Sequence, residues 1–481
     1  MSGEDSESAI RRDRFSGGPA REFLSSLAAD ERIFAADLAV DRAHVAMLSA
    51  CGIVDEEVAS EILTALDAIE VEGHERLPAG EDVHEAIETA VIDQVGPEGG
   101  RMHTARSRND EVSACIRYRL REDLLAAIEA TLELRESLAA VAADHDETIA
   151  PGYTHLQPAQ PVTVAHWALS YEEALRRDTA RLFESYARVN RSPLGAAAFA
   201  GTTFEIDREL TAELLGFEGL VENATDAASS RDFLLESTQA LSTLAVTLSG
   251  LAEDLIVYAN RGFVELDDDY SSTSSIMPQK KNPDTLELVR AVAGDAAAGA
   301  QGLTTTLTGL PRAYNRDLQR ATPHVWETVD AVTEATRVAA GAVATATWNE
   351  AALSAEAGAG FSTATGVADL LAANGVPFRT AHELVARAAE TGADREALEA
   401  AATAVLGDSL ESYVEGDAIE AALDPAKSVA ARDSVGGPAP SAVAAQLSSA
   451  EAALAGDRET LSDRRDALED ARAALRAEVT R

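Results

Sequence analysis

The chain has 481 residues, 46% of them hydrophobic, enough to bury a large core and to divide into roughly two to four domains. Its 82 acidic side chains against 40 basic ones give a formal charge of -42, which repels nucleic acid and anionic membrane and excludes both as partners. Abundant Asp and Glu beside only three lysines, Lys280, Lys281 and Lys427, matches a halophilic surface in multimolar salt, where the Debye length falls to about 3 Å.

Residues 1–13 are polar and mixed in charge with no apolar run behind them, so no signal peptide is expected. No stretch reaches about 18 uncharged apolar residues, so a soluble, cytoplasmic chain is expected. Cys51 and Cys115 are too few for a disulfide framework or a metal cluster, which fits a reducing compartment. The breakers Gly17-Gly18-Pro19, Gly52, Gly73, Pro78-Ala79-Gly80 and Gly96-Pro97 punctuate short helical patterns, and residues 1–100 read as an N-terminal helical domain. From Arg101 to Ala150 neither Gly nor Pro occurs, and Val112, Cys115, Ile116, Leu120, Leu124 and Ile128 recur at helical spacing. The part after Asp110 predicts a helix about 60 Å long. Breaker-free runs recur at 162–192, 220–249 and 324–340, and 284–310 is interrupted only by glycines. That makes about five long helices between 101 and 350, a bundle whose many alanines permit close contact and predict an interface wider than one chain. Beyond 351 the pattern shortens around Gly358, Gly360, Gly366, Gly375-Val376-Pro377 and Gly436-Gly437-Pro438, and the last 40 residues predict an exposed helix. The expected fold class is all-α, with three mostly helical domains at 1–100, 101–350 and 351–481.

Five polar stretches concentrate the chemistry. His103-Thr104-Ala105-Arg106-Ser107-Arg108-Asn109-Asp110 heads the first long helix. Two arginines, hydroxyls and an amide on one turn form a carboxylate-binding array; the plainer reading is an ordinary polar helix start, in which Asn109 is simply the helix cap. Pro151 to Pro161 is a rigid loop carrying His155, a candidate acid or base because imidazole titrates near neutrality. Arg231-Asp232 and Tyr314-Asn315-Arg316-Asp317-Leu318-Gln319 add donors for anionic groups. The stretch 271–283 holds two of the three lysines in a serine-rich loop expected to be mobile. Asn282-Pro283-Asp284 predicts a helix start there, with Asn282 as N-cap and Pro283 at the first helical position. A serine beside Lys280 and a helix N-terminus gains positive potential that stabilises its alkoxide, as a hydroxyl base requires. A solvated polar loop is the alternative, and the scarcity of lysine decides against it. His44, His74, His145, His166, His324 and His382 are read as structural. With no Cys-x-x-Cys, His-Glu-x-x-His or phosphate loop, neither metal nor cofactor is expected.

Together these stretches resemble the argininosuccinate lyase family of the fumarase/aspartase superfamily, over nearly the whole chain. Further matching segments are Arg14-Phe15, Glu81-Asp82-Val83-His84, Asp207-Arg208-Glu209, Asn223-Ala224-Thr225-Asp226, Gly309-Leu310-Pro311 and Pro377 to Glu383. The resemblance implies a homotetramer whose central helices associate and whose active sites each draw on three subunits. It implies a reversible elimination cleaving argininosuccinate to arginine and fumarate, the last step of arginine biosynthesis. Ser274 would be the base, and Lys280 with Asn282 would hold the doubly ionised carboxylate of the intermediate. His155, paired with Glu287, and Thr154 would serve the acid side. Ser107, Arg108, Asn109, Arg231, Tyr314 and Gln319 would bind substrate, with Ser26 and Asp82 at further binding positions and Arg106 and Lys281 adding to a basic pocket.

Four places depart from the family's pattern. Thr273 stands where glycine is usual, which stiffens the loop. Ala105 stands for glycine in a His-Thr-Gly-Arg turn, so positive φ is not expected there. Ala196-Ala197 replaces Ser-Gly, and Thr322 replaces a lysine, leaving Arg320 to compensate. Adenylosuccinate lyase or fumarase would share 274–283 without the other stretches. From a different class, an inert crystallin-like tetramer would not need the polar set at 274, 280, 155 and 287.

Overall fold

The computed structural model describes residues 20–479, apart from the side chain of Arg21; Arg14 and Phe15 lie outside the described residues. Each long breaker-free run becomes a long helix. The N-terminal layer comprises α1 (Phe34–Ala50), α2 (Glu56–Glu72) and α3 (Val83–Val95). The bundle follows: α4 (Arg108–Asp144), α5 (Val164–Val189), α6 (Asp232–Asn260), α7 (Asp284–Leu307) and α8 (Thr322–Thr345). The 37 residues of α4 give it a length of about 55 Å. A last helix, α9, spans Pro440–Val479. The all-α architecture with a long central bundle is therefore what the chain adopts. Among the described residues strands form three two-stranded antiparallel sheets: β1 (Ile149–Thr154) with β2 (Gln157–Thr163), β3 (Val264–Glu265) with β6 (Thr347–Trp348), and β4 (Ser272–Thr273) with β5 (Lys281–Asn282).

Leu124, Ile128, Leu182, Leu244, Leu248, Val289 and Val329 share one core, so all five bundle helices bury a face against each other. The N-terminal layer has its own cluster around Val40, Ile62, Leu66 and Ile87, which also takes Cys115 and Tyr118 from α4. Residues 351–481 do not share one core. Val367, Leu371, Leu384, Leu398 and Ile419 form a separate small cluster, whereas α9 returns to lie along α4 and α5.

Two expectations need correction. The last helix is not simply exposed: Leu454, Leu461, Leu468 and Leu475 are buried at intervals of seven, the spacing that keeps one seam against a neighbouring helix. Beside that seam Arg458, Arg465 and Arg472 pair with Glu136, Glu129 and Glu122, an antiparallel ladder against α4. In addition, α6 is long and apolar enough to cross a membrane by length and composition. Its place at the middle of the bundle, between α5, α7 and α8, explains that composition. It still leaves Val246 63% exposed, as α7 leaves Leu288 71% exposed, so the bundle keeps apolar surface on the outside of one chain.

Candidate active site

The head of α4 is capped by Ser107, not Asn109: Ser107 Oγ accepts the Asn109 N–H at 3.3 Å, and Asp110 Oδ1 accepts the Ser107 N–H at 3.1 Å, a capping box. Asn109 is left to donate its amide to the Ala198 carbonyl at 3.0 Å. Ala105 does adopt positive φ, 62°. The cause is the next residue. Arg106 is buried with Nη1 2.5 Å from Asp41 and Nη2 2.9 Å from Glu111, which fixes the turn against alanine's preference. With both ends of its guanidinium taken and its side chain 2% exposed, Arg106 braces the turn and is not placed to meet substrate.

Arg106 belongs to a buried ionic cluster. His84 Nδ1 lies 2.8 Å from Asp37 and 3.8 Å from Glu111, and despite burial these carboxylates hold its pKa well above the usual value. Asp37, His84 and Cys115 bring three potential ligand atoms within 4.8 Å. Asp37 already accepts from both others, so hydrogen bonds account for the group without an ion.

His84 also faces a cavity of about 240 Å³ between the N-terminal layer and the bundle. Six expected residues line it: Ser26, Asp82, Arg108, Arg231, Tyr314 and Gln319. Asp82 caps α3 by accepting the Glu85 N–H at 2.8 Å, and Arg108 lies 3.4 Å from it. Arg231 is buried, and among the described residues its Nη1 reaches Ser113 Oγ and the carbonyls of Ala228 and Ser230. Burial, with no acidic partner among the described residues, pushes its pKa down to about 10. A guanidinium with donors left over has the geometry to pair with a carboxylate. Facing the same space are Asp30, whose pKa burial raises, His84, Trp326 and Glu327. Sequence reasoning passed over Asp30 and Glu327, since an acid in an acid-rich chain carries no signal, and over Trp326; His84 entered only within a matching segment, with no role. Thr322 lines the cavity too, whereas Arg320 is exposed and absent from its wall. A larger cavity, about 480 Å³ between α1, α4 and α9, holds none of the expected residues.

The 271–283 stretch forms a hairpin whose roots, β4 and β5, pair Thr273 with Lys281 and Ser272 with Asn282. A β-branched residue suits that pairing, which gives Thr273 a structural place. Asn282 is therefore in a strand and not the N-cap; α7 starts one residue later than expected, at Asp284, with Pro283 before it. At the tip, Ser274 Oγ accepts the N–H groups of Ile276 and Met277 at 3.3 and 3.1 Å. Two backbone donors aimed at one hydroxyl oxygen favour its alkoxide. Lys281 is held by Glu265 and Asp268 at 3.2 and 2.7 Å, whereas Lys280 has no ion pair among the described residues.

His155 stands at the tip of the β1–β2 hairpin, exposed, where Thr154 pairs with Gln157. His155 and Leu156 have φ of 55° and 58°, the pattern of a type I′ turn usually made by Asn-Gly. Near the base, Gly152 sits at a bulge where an added Cβ would lie 2.5 Å from the Gln160 carbonyl. Within one chain no hydrogen bond or ion pair joins His155 to exposed Glu287 among the described residues, and the wall of the Arg231 cavity includes neither hairpin. The cavity wall thus brings together six of the nine residues expected to bind substrate, without Arg106, Ser107 and Asn109, and Ser274, Lys280 and His155 lie elsewhere in the chain. Of the histidines read as structural, His44, His74 and His166 bond backbone carbonyls of Thr104, Leu27 and Gly436, His145 bonds Thr148, and His382 packs on Phe378.

Comparison with known proteins agrees with this architecture. A family model described as Lyase matches residues 21–297, and one described as Argininosuccinate lyase C-terminal matches 361–430. Argininosuccinate lyase of Natronomonas pharaonis is 69% identical over 461 residues, covering 96% of this chain and 94% of the relative. That of Haloarcula marismortui is 64% identical over 481 residues, covering 99% and 96%. These relatives are halophilic archaeal proteins, in keeping with the acidic composition. Among solved structures, EDDS lyase in complex with formate superposes with a TM-score of 0.84 at 33% identity, covering 96% of this chain and 95% of that one. Class II fumarase from Schistosoma mansoni shares the fold, with a TM-score of 0.70 at 15% identity over 82% of this chain and 90% of its own. By its sequence and its fold, the chain belongs to the argininosuccinate lyase family.

Proposed function

We propose that this chain is an argininosuccinate lyase, a carbon-nitrogen lyase that reversibly cleaves argininosuccinate to L-arginine and fumarate in arginine biosynthesis. One observation carries the choice of substrate: a single cavity is lined by the guanidinium of Arg231, which has no acidic partner among the described residues, by the Arg108–Asp82 pair, and by the carboxyls of Asp30 and Glu327. A ligand bearing both carboxylates and a guanidinium satisfies both sets. Malate and adenylosuccinate carry no cation for the acids. Ser107, Arg108, Asn109, Arg231, Tyr314 and Gln319 bind and orient it, with Ser26 and Asp82 at the cavity edge.

In the reaction Ser274, as alkoxide, takes a proton from the succinyl carbon next to a carboxylate. The electron pair moves into that carboxylate, whose second negative charge Lys280 and Asn282 hold. The pair then returns, the carbon-nitrogen bond breaks, and the guanidinium nitrogen leaves with a proton supplied from the side of His155 and Thr154, His155 being set by Glu287. Because these groups are apart in one chain, the working form is a homotetramer in the cytoplasm, with hairpins from neighbouring subunits completing each site. Exposed apolar side chains on α6 and α7 support this assembly.

The test is ultraviolet detection of fumarate from argininosuccinate in multimolar KCl, with adenylosuccinate and malate as competitors for the assignment. Ser274→Ala is expected to lower kcat by at least about a thousandfold with the oligomer intact. No turnover of argininosuccinate by the folded wild-type protein overturns the reading.

A further inference from the structure

Three segments meet at the carboxylate of Asp110, the third residue of α4. Its Oδ1 accepts the Ser107 N–H at 3.1 Å, and its Oδ2 accepts the N–H groups of Gly195 and Ala197 at 3.0 and 2.8 Å. The side chain is fully buried, and no ion pair reaches it among the described residues. A capping box needs only the first of these contacts. The other two tie the helix head to a loop 85 and 87 residues further along the chain. That loop returns to the same turn, because the Ala198 carbonyl accepts the Asn109 amide N–H at 3.0 Å. The contacts close a ring from Asp110 through Gly195 and Ala197 to Ala198 and back to Asn109.

The loop is held from its other side as well. Arg208 donates from Nε to the Leu194 carbonyl at 2.6 Å and from Nη2 to the Val221 carbonyl at 2.9 Å, and Thr225 donates to the Phe199 carbonyl at 3.0 Å. Ala197 has φ of 52°, a left-handed conformation that alanine avoids, so the loop adopts its path because its neighbours impose it.

We propose that Asp110 is a positioning residue for substrate binding: it fixes the 195–198 loop and, through the Ala198 carbonyl, the plane of the Asn109 amide in the carboxylate-binding turn. This rests on the reading of Ser107, Arg108 and Asn109 as substrate-binding residues. An amide tethered at one N–H presents its second N–H and its oxygen in one fixed plane, and releasing the loop lets it rotate. Ground state and transition state lose the contact together, so KM rises while kcat holds. The ring depends on an ionised acceptor. Burial raises the Asp110 carboxyl to about 6; the charged groups facing it from outside its helix are Arg106, in the preceding turn, and Arg208, at the start of helix Arg208–Leu214. Protonation below that pH turns one acceptor oxygen into a donor facing N–H groups, which opens the ring.

The test is steady-state kinetics of fumarate release in multimolar KCl for Asp110→Asn beside Asn109→Ala. Both are expected to raise KM about tenfold with kcat within about twofold. The wild-type rise in KM between about pH 7.5 and 5.5 is expected to flatten in Asp110→Asn. If Asn109→Ala raises KM and Asp110→Asn does not, or Asp110→Asn lowers kcat alone, the positioning role is overturned while the reading of the turn stands. If Asn109→Ala leaves KM unchanged, the turn does not bind substrate and the proposal falls with it. Should Asp110→Asn fail to fold, hydrogen exchange of segment 194–201 in the wild-type protein decides. Its protection, corrected for intrinsic rate, is expected to fall over the same pH range, and constant protection overturns the proposal.

Discussion

Ala105, His155, Leu156 and Ala197 hold positive φ without being glycine. Each such residue costs about 1–2 kcal/mol, and such strain persists only where surrounding contacts over-determine it. These four and Ala313 sit in or beside segments proposed to meet substrate, whereas Phe361 and Ala393, which also have positive φ, do not. At Ala105 the restraint is visible in the ion pairs of Arg106. Ala105→Gly removes the Cβ strain but frees the unfolded chain by about 0.4–1 kcal/mol, so a net gain of about 0–1.6 kcal/mol is expected. It would be read as a higher denaturant midpoint, and a lower midpoint contradicts the account of strain. The sign of φ at Ala105 was not legible in the sequence, because residue type suggests one sign and a buried ion pair imposes the other. Lys280 stood out as a candidate for the opposite reason: lysine is so scarce here that its position draws notice. Asp30, Glu327 and the buried Asp37 did not, because only tertiary packing distinguishes them from 79 other acids.

At the scale of elements, breaker-free runs located the five bundle helices, and their ends moved by a few residues where caps were misjudged, as at Ser107 and Asp284. The seven-residue spacing of Leu454, Leu461, Leu468 and Leu475 was present in the sequence as well, but the charge-rich composition around it read as a solvated face. Packing and charge in α9 contribute unequally. Leu461→Ala empties a buried site and is expected to cost about 2–4 kcal/mol. Arg465→Ala removes a pair whose partners remain 42% and 31% exposed, worth less than about 1 kcal/mol and screened in brine. Thermal unfolding of the two variants in high KCl ranks them. The reverse order would mean that the ladder, and not the leucine seam, holds the helix.

For the whole molecule the governing quantity is the charge of -42. Diluting the salt from about 1 M to 0.1 M lengthens the Debye length from about 3 to 10 Å, so like charges on neighbouring subunits begin to repel across an interface. Dissociation to smaller species with loss of activity is expected, seen as a falling molar mass in light scattering; an assembly unchanged at 0.1 M would count against a halophilic surface. The sequence also singled out candidate stretches without showing how they lie relative to one another, and in one chain the two hairpins stand apart from the Arg231 cavity. The last helix sets a further constraint, in time. Its arginines find partners on α4 that lie 322 to 350 residues earlier. At about 5–20 residues per second, a ribosome leaves the outer flank of α4 uncovered for some tens of seconds after it emerges. Folding of the central helix therefore finishes only after the final residues are made, and a chain that ends before Pro440 leaves that flank bare for its whole lifetime.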